Sequence, residues 1–243
     1  MILNKLFERN KIKEGLQDKI LEFIYNSTSF NKLIFTGGTC LRKIYGLNRL
    51  SEDLDFDYSS SDGFDLNNFA KQTEDTFEIK TKISGNRQTV FLKYPNSIFL
   101  RCDFSGSNIK PLDMSQSLIL ADNKQFFVNT YTLPVLFANK IDAFLNRNFL
   151  KGKYQKIPFK GRDIYDLFWL LQLSAKSGYT LKPDISRLSD IINIKEKIKE
   201  KIRLVEKEFV FEDLFPLIES KEYLDQFLQS FSNSITSQID FVL

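Results

Sequence analysis

The run Asp53-Leu54-Asp55-Phe56-Asp57-Tyr58 alternates a carboxylate with an apolar residue without a break. Residues two apart share a face only in an extended strand, so the run predicts a strand over Leu54–Tyr58. Leu54, Phe56 and Tyr58 then turn to a core, and Asp53, Asp55 and Asp57 turn the other way. Three neighbouring carboxylates repel one another. Either their face is open to water or a cation sits among them, and the alternation alone leaves both readings open. Magnesium takes one or two carboxylates together with phosphate oxygens, so Asp53 and Asp55 are candidate ligands for Mg2+ (or Mn2+).

Upstream, Lys32–Phe35 reads as a short apolar strand, Gly37-Gly38 turns it, and Thr39–Tyr45 reads as a short helix stopped near Gly46. Glycines after a strand let the backbone approach a ligand, and amides at a helix start suit a phosphate. A plain strand-to-helix turn accounts for the two glycines equally well. In combination, the order strand, Gly-Gly, short helix, strand with same-face aspartates places a phosphate grip beside a magnesium site.

Composition narrows the chemistry. The chain of 243 residues has no histidine, which excludes Ser-His-Asp and Cys-His catalysis, an imidazole base and His-ligated zinc. Cys40 and Cys102 are too few for a metal site and read as reduced core residues. A net charge of +3 neither demands nor excludes nucleic acid, so any basic surface is local. Charges at Lys5, Glu8 and Arg9 argue against a leader peptide, and no apolar run reaches the ~18 residues of a membrane span. The expected location is the cytoplasm, without membrane contact.

Further along, Ile12–Tyr25 and Leu66–Glu78 read as helices, and Ile79–Ile83, Gln88–Tyr94 and Ile98–Phe104 as strands, with a further strand at Phe126–Thr130. From Pro134 the pattern is helical: Pro134–Asn148, Asp163–Ala175, Asp184–Lys207 and Leu214–Phe231. A mixed half followed by a helical half is the α+β class, with domains at 1–130 and 131–243.

Four further features bear on chemistry. Lys140 falls inside the apolar stripe Leu136, Phe137, Ile141, Phe144, so its ammonium either snorkels outward or meets an anion. Asp163 opens a helix, where a first-turn carboxylate is also an ordinary stabilising choice. Asp103 alternates away from Leu100, Cys102 and Phe104 and shares a face with Arg101, which suits half of a surface pair. The tract "KGKYQKIPFKGR" interleaves Lys151, Lys153, Lys156 and Lys160 with Tyr154 and Phe159, which suits a nucleic-acid backbone and stacked bases or a solvated loop.

Gly37, Gly38, Asp53 and Asp55 resemble the core signature of the nucleotidyltransferase superfamily. The fuller string, with Thr39, Leu41, Arg49 and Ser51, is similar to the AbiEii/MenT-type toxins of type IV toxin–antitoxin systems. Lys140 matches that family's helix lysine, and Arg162, Asp163 and Asp166 match its Arg-Asp-x-x-Asp. The resemblance spans about residues 33 to 170 and implies a nucleotidyltransferase fold with a helical C-terminal domain. It implies that Gly37, Gly38, Thr39, Arg49, Ser51, Arg162 and Asp166 bind the nucleotide, that Lys140 contacts phosphate, that Asp163 is an active-site acid contributed by the helical domain, and that Asp103 is a candidate third carboxylate, on a strand neighbouring the aspartate pair, as an alternative to its surface pair with Arg101. It implies transfer from an NTP to an acceptor, the 3′ end of tRNA, with growth inhibition countered by an antitoxin, in a monomeric protein. Transfer to a small molecule or a protein side chain, or a catalytically idle nucleotide-binding protein, are the alternatives.

Overall fold

Two runs of sequence with different periodicities give two compact units, Met1–Thr132 and Leu133–Leu243. The computed structural model describes residues 2–94, 98–121, 123–147, 149–151, 155–157, 159–188 and 191–243, with backbone alone at 2–4, 149–151 and 155–157.

The first unit carries helices α1 (Ile2–Asn26), α2 (Gly37–Tyr45) and α3 (Leu66–Thr73). Its strands are β1 (Ile34–Thr36), β2 (Asp53–Ser59), β3 (Glu78–Ser84), β4 (Arg87–Tyr94), β5 (Ile98–Ser107), β6 (Met114–Ala121) and β7 (Lys124–Tyr131). They form one mixed sheet in the order β3-β4-β5-β2-β1-β7-β6. β1 runs antiparallel to β2 and parallel to β7, while β2 and β5 are parallel. The predicted alternation of β2 holds: Leu54 and Phe56 are buried and the aspartates between them are partly exposed. Phe56 stacks on Phe104 of β5 at 5.3 Å, and Phe64, Phe69 of α3, Phe30 and Phe23 of α1 extend that aromatic layer. The core on this side of the sheet is therefore built from rings supplied by both helices, with preferred tilted and offset geometries.

The second unit contains α4 (Leu133–Asn146), a two-stranded ribbon of β8 (Phe149–Lys151) and β9 (Gln155–Ile157), α5 (Gly161–Lys176), α6 (Ile194–Arg203), α7 (Lys207–Leu214) and α8 (Lys221–Val242). The expected end of the first of these helices, Asn148, lies outside the described residues. Three expected helices are corrected. The helix expected over Leu66–Glu78 ends at Thr73, and Glu78 opens β3. Residues 184–207 do not form one helix: a 3-10 turn at Ile185–Arg187 is followed by α6, which starts after Asn193 in the left-handed conformation at φ 55°. That backbone cannot continue a right-handed helix. The last helix starts at Lys221 rather than Leu214, because Pro216 lacks an amide proton and the Ser220 hydroxyl accepts from the Tyr223 amide as an N-cap.

Candidate active site

The turn between β1 and α2 closes on the aspartate strand. Gly37 sits at φ 79°, and a Cβ there would run into the carboxylate of Asp55. A Cβ on Gly38 would lie 2.7 Å from Nη2 of Arg49 and 3.2 Å from Oγ of Ser51. The two glycines are thus required by close approach to three motif side chains, and Gly37 also by its backbone. Thr39 donates its hydroxyl proton to the Asp53 carbonyl, tying the first turn of α2 to the start of β2. Arg49 is buried and donates to the Leu50 carbonyl at 2.9 Å, while Gln17 of α1 donates to the Ser51 carbonyl at 2.8 Å. The segment from Arg49 to Asp55 is held from both sides, and Gly37, Gly38, Thr39, Arg49, Ser51 and Asp55 meet in one place.

Asp53 and Asp55 lie on one face of β2, in register with Arg101 and Asp103 of β5. Asp103 is buried: its Oδ1 accepts from Thr89 at 2.5 Å and from Arg101 Nε at 3.1 Å, and its Oδ2 lies 2.8 Å from Arg101 Nη2. Behind this face, burial pushes the Cys102 thiol well above its ordinary value, and the charges of Asp103, Asp53 and Asp55 add to the shift. Cys102 is therefore an inert core residue. The third same-face carboxylate of β2, Asp57, accepts from the buried Tyr131 hydroxyl at 2.7 Å.

Among the described residues no group of three or more His, Cys, Asp or Glu side chains is placed to hold a metal ion. A pair of hard carboxylates beside a backbone turn fits magnesium that completes its shell with water and substrate phosphate. Asp53 and Asp55 supply that pair. A cavity of about 510 Å3 opens at the other end of β1 and β2, walled by Phe30, Tyr58 and Phe64, and does not include the aspartate pair.

In the second unit the other motif residues form cross-helix pairs. Lys140 of α4 meets an anion, and that anion is Asp166 of α5, at 2.7 Å and fully buried. One end of α4 further on, Arg147 Nε lies 2.8 Å from Asp163 Oδ2. The Arg162 amide donates to Asp213 of α7 at 3.0 Å, and its Nε lies 3.7 Å from the same carboxylate. Lys160 precedes α5; burial lowers its pKa from the ordinary lysine value, with Arg162 and Arg147 adding to the shift and Asp213 and Asp163 opposing it. Lys201 of α6 donates to the carbonyls of Leu145 and Arg147 at the end of α4.

Arg147, Lys201 and Asp213 were not anticipated. For Arg147 a signal existed, since it follows Lys140 by two helical turns and so shares its face. In the basic tract, Phe159 is buried core rather than a stacking surface. Lys153 and Tyr154 lie outside the described residues, as do the side chains of Lys151 and Lys156, whose backbones belong to β8 and β9.

No helix of the described residues is long and apolar enough to cross a membrane. Comparison with curated proteins returns no match. Among solved structures, the chain is similar to JHP933 from Helicobacter pylori, at 16% identity and TM-score 0.57, over 97% of this chain and 92% of that one. It is equally similar to a candidate nucleotidyltransferase from H. pylori, at 16% identity and TM-score 0.58, over 97% and 95% of the two chains. These likenesses show the fold. The family model described as the nucleotidyl transferase AbiEii toxin of type IV toxin–antitoxin systems matches residues 19–242. With that match across nearly its whole length, and with a mixed-sheet unit followed by a helical one, the chain belongs to the AbiEii nucleotidyltransferase toxin family.

Proposed function

We propose that this protein transfers a nucleotidyl group from an NTP to the 3′ end of tRNA, stopping translation in the cytoplasm until a cognate antitoxin restrains it. The observation that carries the reading is the closure of the Gly37-Gly38 turn on Asp55, Arg49 and Ser51. Asp53 and Asp55 would hold magnesium, which when bound neutralises triphosphate charge and polarises the phosphate under attack. The Gly37-Gly38 backbone and Ser51 grip the triphosphate, Thr39 ties the start of α2 to the Asp53 carbonyl, and the buried guanidinium of Arg49 backs the turn. The acceptor hydroxyl attacks the α-phosphorus, the bond from that phosphorus to the bridging oxygen breaks, and pyrophosphate leaves. A carboxylate has about four acceptor positions, of which Arg101 and Thr89 use three at Asp103. Asp103 thus keeps a position for the hydroxyl proton. For the second unit the family resemblance assigns Lys140 and Arg162 to phosphate and Asp163 to a further acid; within that unit Lys140 pairs with Asp166, Arg162 with Asp213 and Asp163 with Arg147.

The test is incubation of the protein with each of the four α-labelled NTPs, bulk RNA and, separately, an RNA-free small-molecule extract. Label in tRNA from one or more NTPs is the expected result. Label confined to a small molecule or to protein would overturn the acceptor, and no label at all would overturn NTP-dependent transfer.

A further inference from the structure

The sheet face that carries Asp53 and Asp55 continues across three more strands, and the register fixes what stands on it. The row through Asp53 continues as Arg101, Phe91 and Lys80; the row through Asp55 continues as Asp103, Thr89 and Lys82. The row through Asp57 continues as Ser105, Arg87 and Ser84. At the other end Phe99 stands opposite Lys93, which pairs with Glu78 at 2.6 Å. The alternate residues Val90, Leu92, Leu100, Cys102 and Phe104 of β4 and β5 are buried on the opposite face, and on β3, whose alternate residues Thr81 and Ile83 are exposed, the register with β4 carries the assignment.

On β3, β4 and β5 this face therefore presents five cations, Lys80, Lys82, Arg87, Lys93 and Arg101. Its two carboxylates, Glu78 and Asp103, are each already engaged by one of those cations. Lys80, Lys82 and Arg87 are exposed. Among them stand two rings, the partly exposed Phe91 and Phe99, which is 44% exposed. Cations for a phosphate backbone with interleaved rings for bases are the elements of a single-strand track. At about 4.8 Å per strand the whole lane lies within roughly 15 Å of the aspartates.

We propose that this face is the track for the single-stranded end of an RNA acceptor, with phosphates on Lys80, Lys82 and Arg87 and bases stacked on Phe91 and Phe99, delivering the terminal hydroxyl to the Asp53–Asp55 end. This rests on the reading of nucleotidyl transfer to RNA. It assigns recognition to residues that local sequence does not single out, because strand register brings them together.

The test measures binding of a single-stranded RNA oligonucleotide with a free 3′ hydroxyl, by fluorescence anisotropy across a potassium chloride series without NTP. The proteins are the full chain, Lys80→Ser/Lys82→Ser/Arg87→Ser, Phe91→Ala, and an equal-charge control, Lys11→Ser/Lys19→Ser/Lys71→Ser, on α1 and α3. The track triple should flatten the slope of log affinity against log salt by about 2, at ~0.7 per phosphate contact, and the control should not. Phe91→Ala should weaken binding on the order of ten-fold with the slope kept. A wild-type slope in the track triple, or an equal fall in the control, would overturn the track. So would displacement of RNA by poly-glutamate at matched charge with no effect of Phe91→Ala, which would mark a surface for an acidic protein. Transfer assays on the same proteins separate the two levels. If wild type and track triple bind and label RNA alike, the track is wrong and the transfer reading stands; if wild type labels no RNA, the transfer reading itself fails.

Discussion

At Gly37 two physical demands coincide, a positive φ and the carboxylate of Asp55 where a Cβ would be. Gly46 shares the φ of 79° but has open space around it, so the two positions separate backbone strain from site geometry. Both Gly37→Ala and Gly46→Ala should cost about 1 kcal/mol or more in stability from the left-handed backbone. Only Gly37→Ala should also lose transfer, by on the order of a hundred-fold, because Asp55 must move. Equal activities in the two variants, measured beside their thermal midpoints, would contradict the close-approach account. Asp53→Asn should remain folded, since a like-charge repulsion is relieved and no core atom is lost, yet transfer should fall by on the order of a thousand-fold. Lys140 belongs to the same scale. The sequence left it between snorkelling and an anion, and the structure supplies Asp166 as the partner. Lys140→Met removes the ammonium from the fully buried Asp166 carboxylate and should destabilise by about 3 kcal/mol, and Lys140→Met/Asp166→Leu should recover part of that loss. Chemical denaturation of both variants checks this, and a stable single variant would sink the buried-pair account.

The first unit's elements were largely legible because each carries a local signal. The alternation of β2, the Gly-Gly turn and the helical stripe of α1 are all written within a few residues. β6 was missed: its Ser-Gln-Ser and Leu-Ile-Leu stretches mix two patterns, and it is a strand because β7 pairs with it along its length. The β8–β9 ribbon reads as a basic loop in sequence for the same reason, pairing being a non-local property. In the helical half the stripes were visible but the breaks were not, since a left-handed Asn193 leaves no periodic trace. The partners of the site residues were the least legible, because Asp213 meets Arg162 across 51 positions of sequence. Lys160, at the start of α5, carries a prediction of this scale. Its pKa is lowered from 10.5 by burial first, so across the window from the lowered value up to 10.5 the unfolded chain binds more protons and stability rises with pH. Lys160→Met should raise the thermal midpoint at pH 7, with the gain shrinking as the pH approaches 10.5. A gain independent of pH would contradict a buried cation.

For the whole molecule, the α+β class read from sequence holds, and the family match spans both the mixed unit and the helical unit. Membership in a toxin family predicts that induced expression of the wild type arrests growth while Asp55→Asn at equal protein level does not. Arrest by both would detach toxicity from the aspartate pair. The central claim is nucleotidyl transfer at Asp53 and Asp55, and the position of the label tests it most directly. Wild type and Asp55→Asn are incubated with tRNA and an NTP labelled at either the α or the γ phosphate. The account predicts that wild type places the α label on the tRNA 3′ end and releases the γ label in pyrophosphate, and that Asp55→Asn does neither. Transfer of the γ label to the acceptor, or full α labelling by Asp55→Asn, would contradict it.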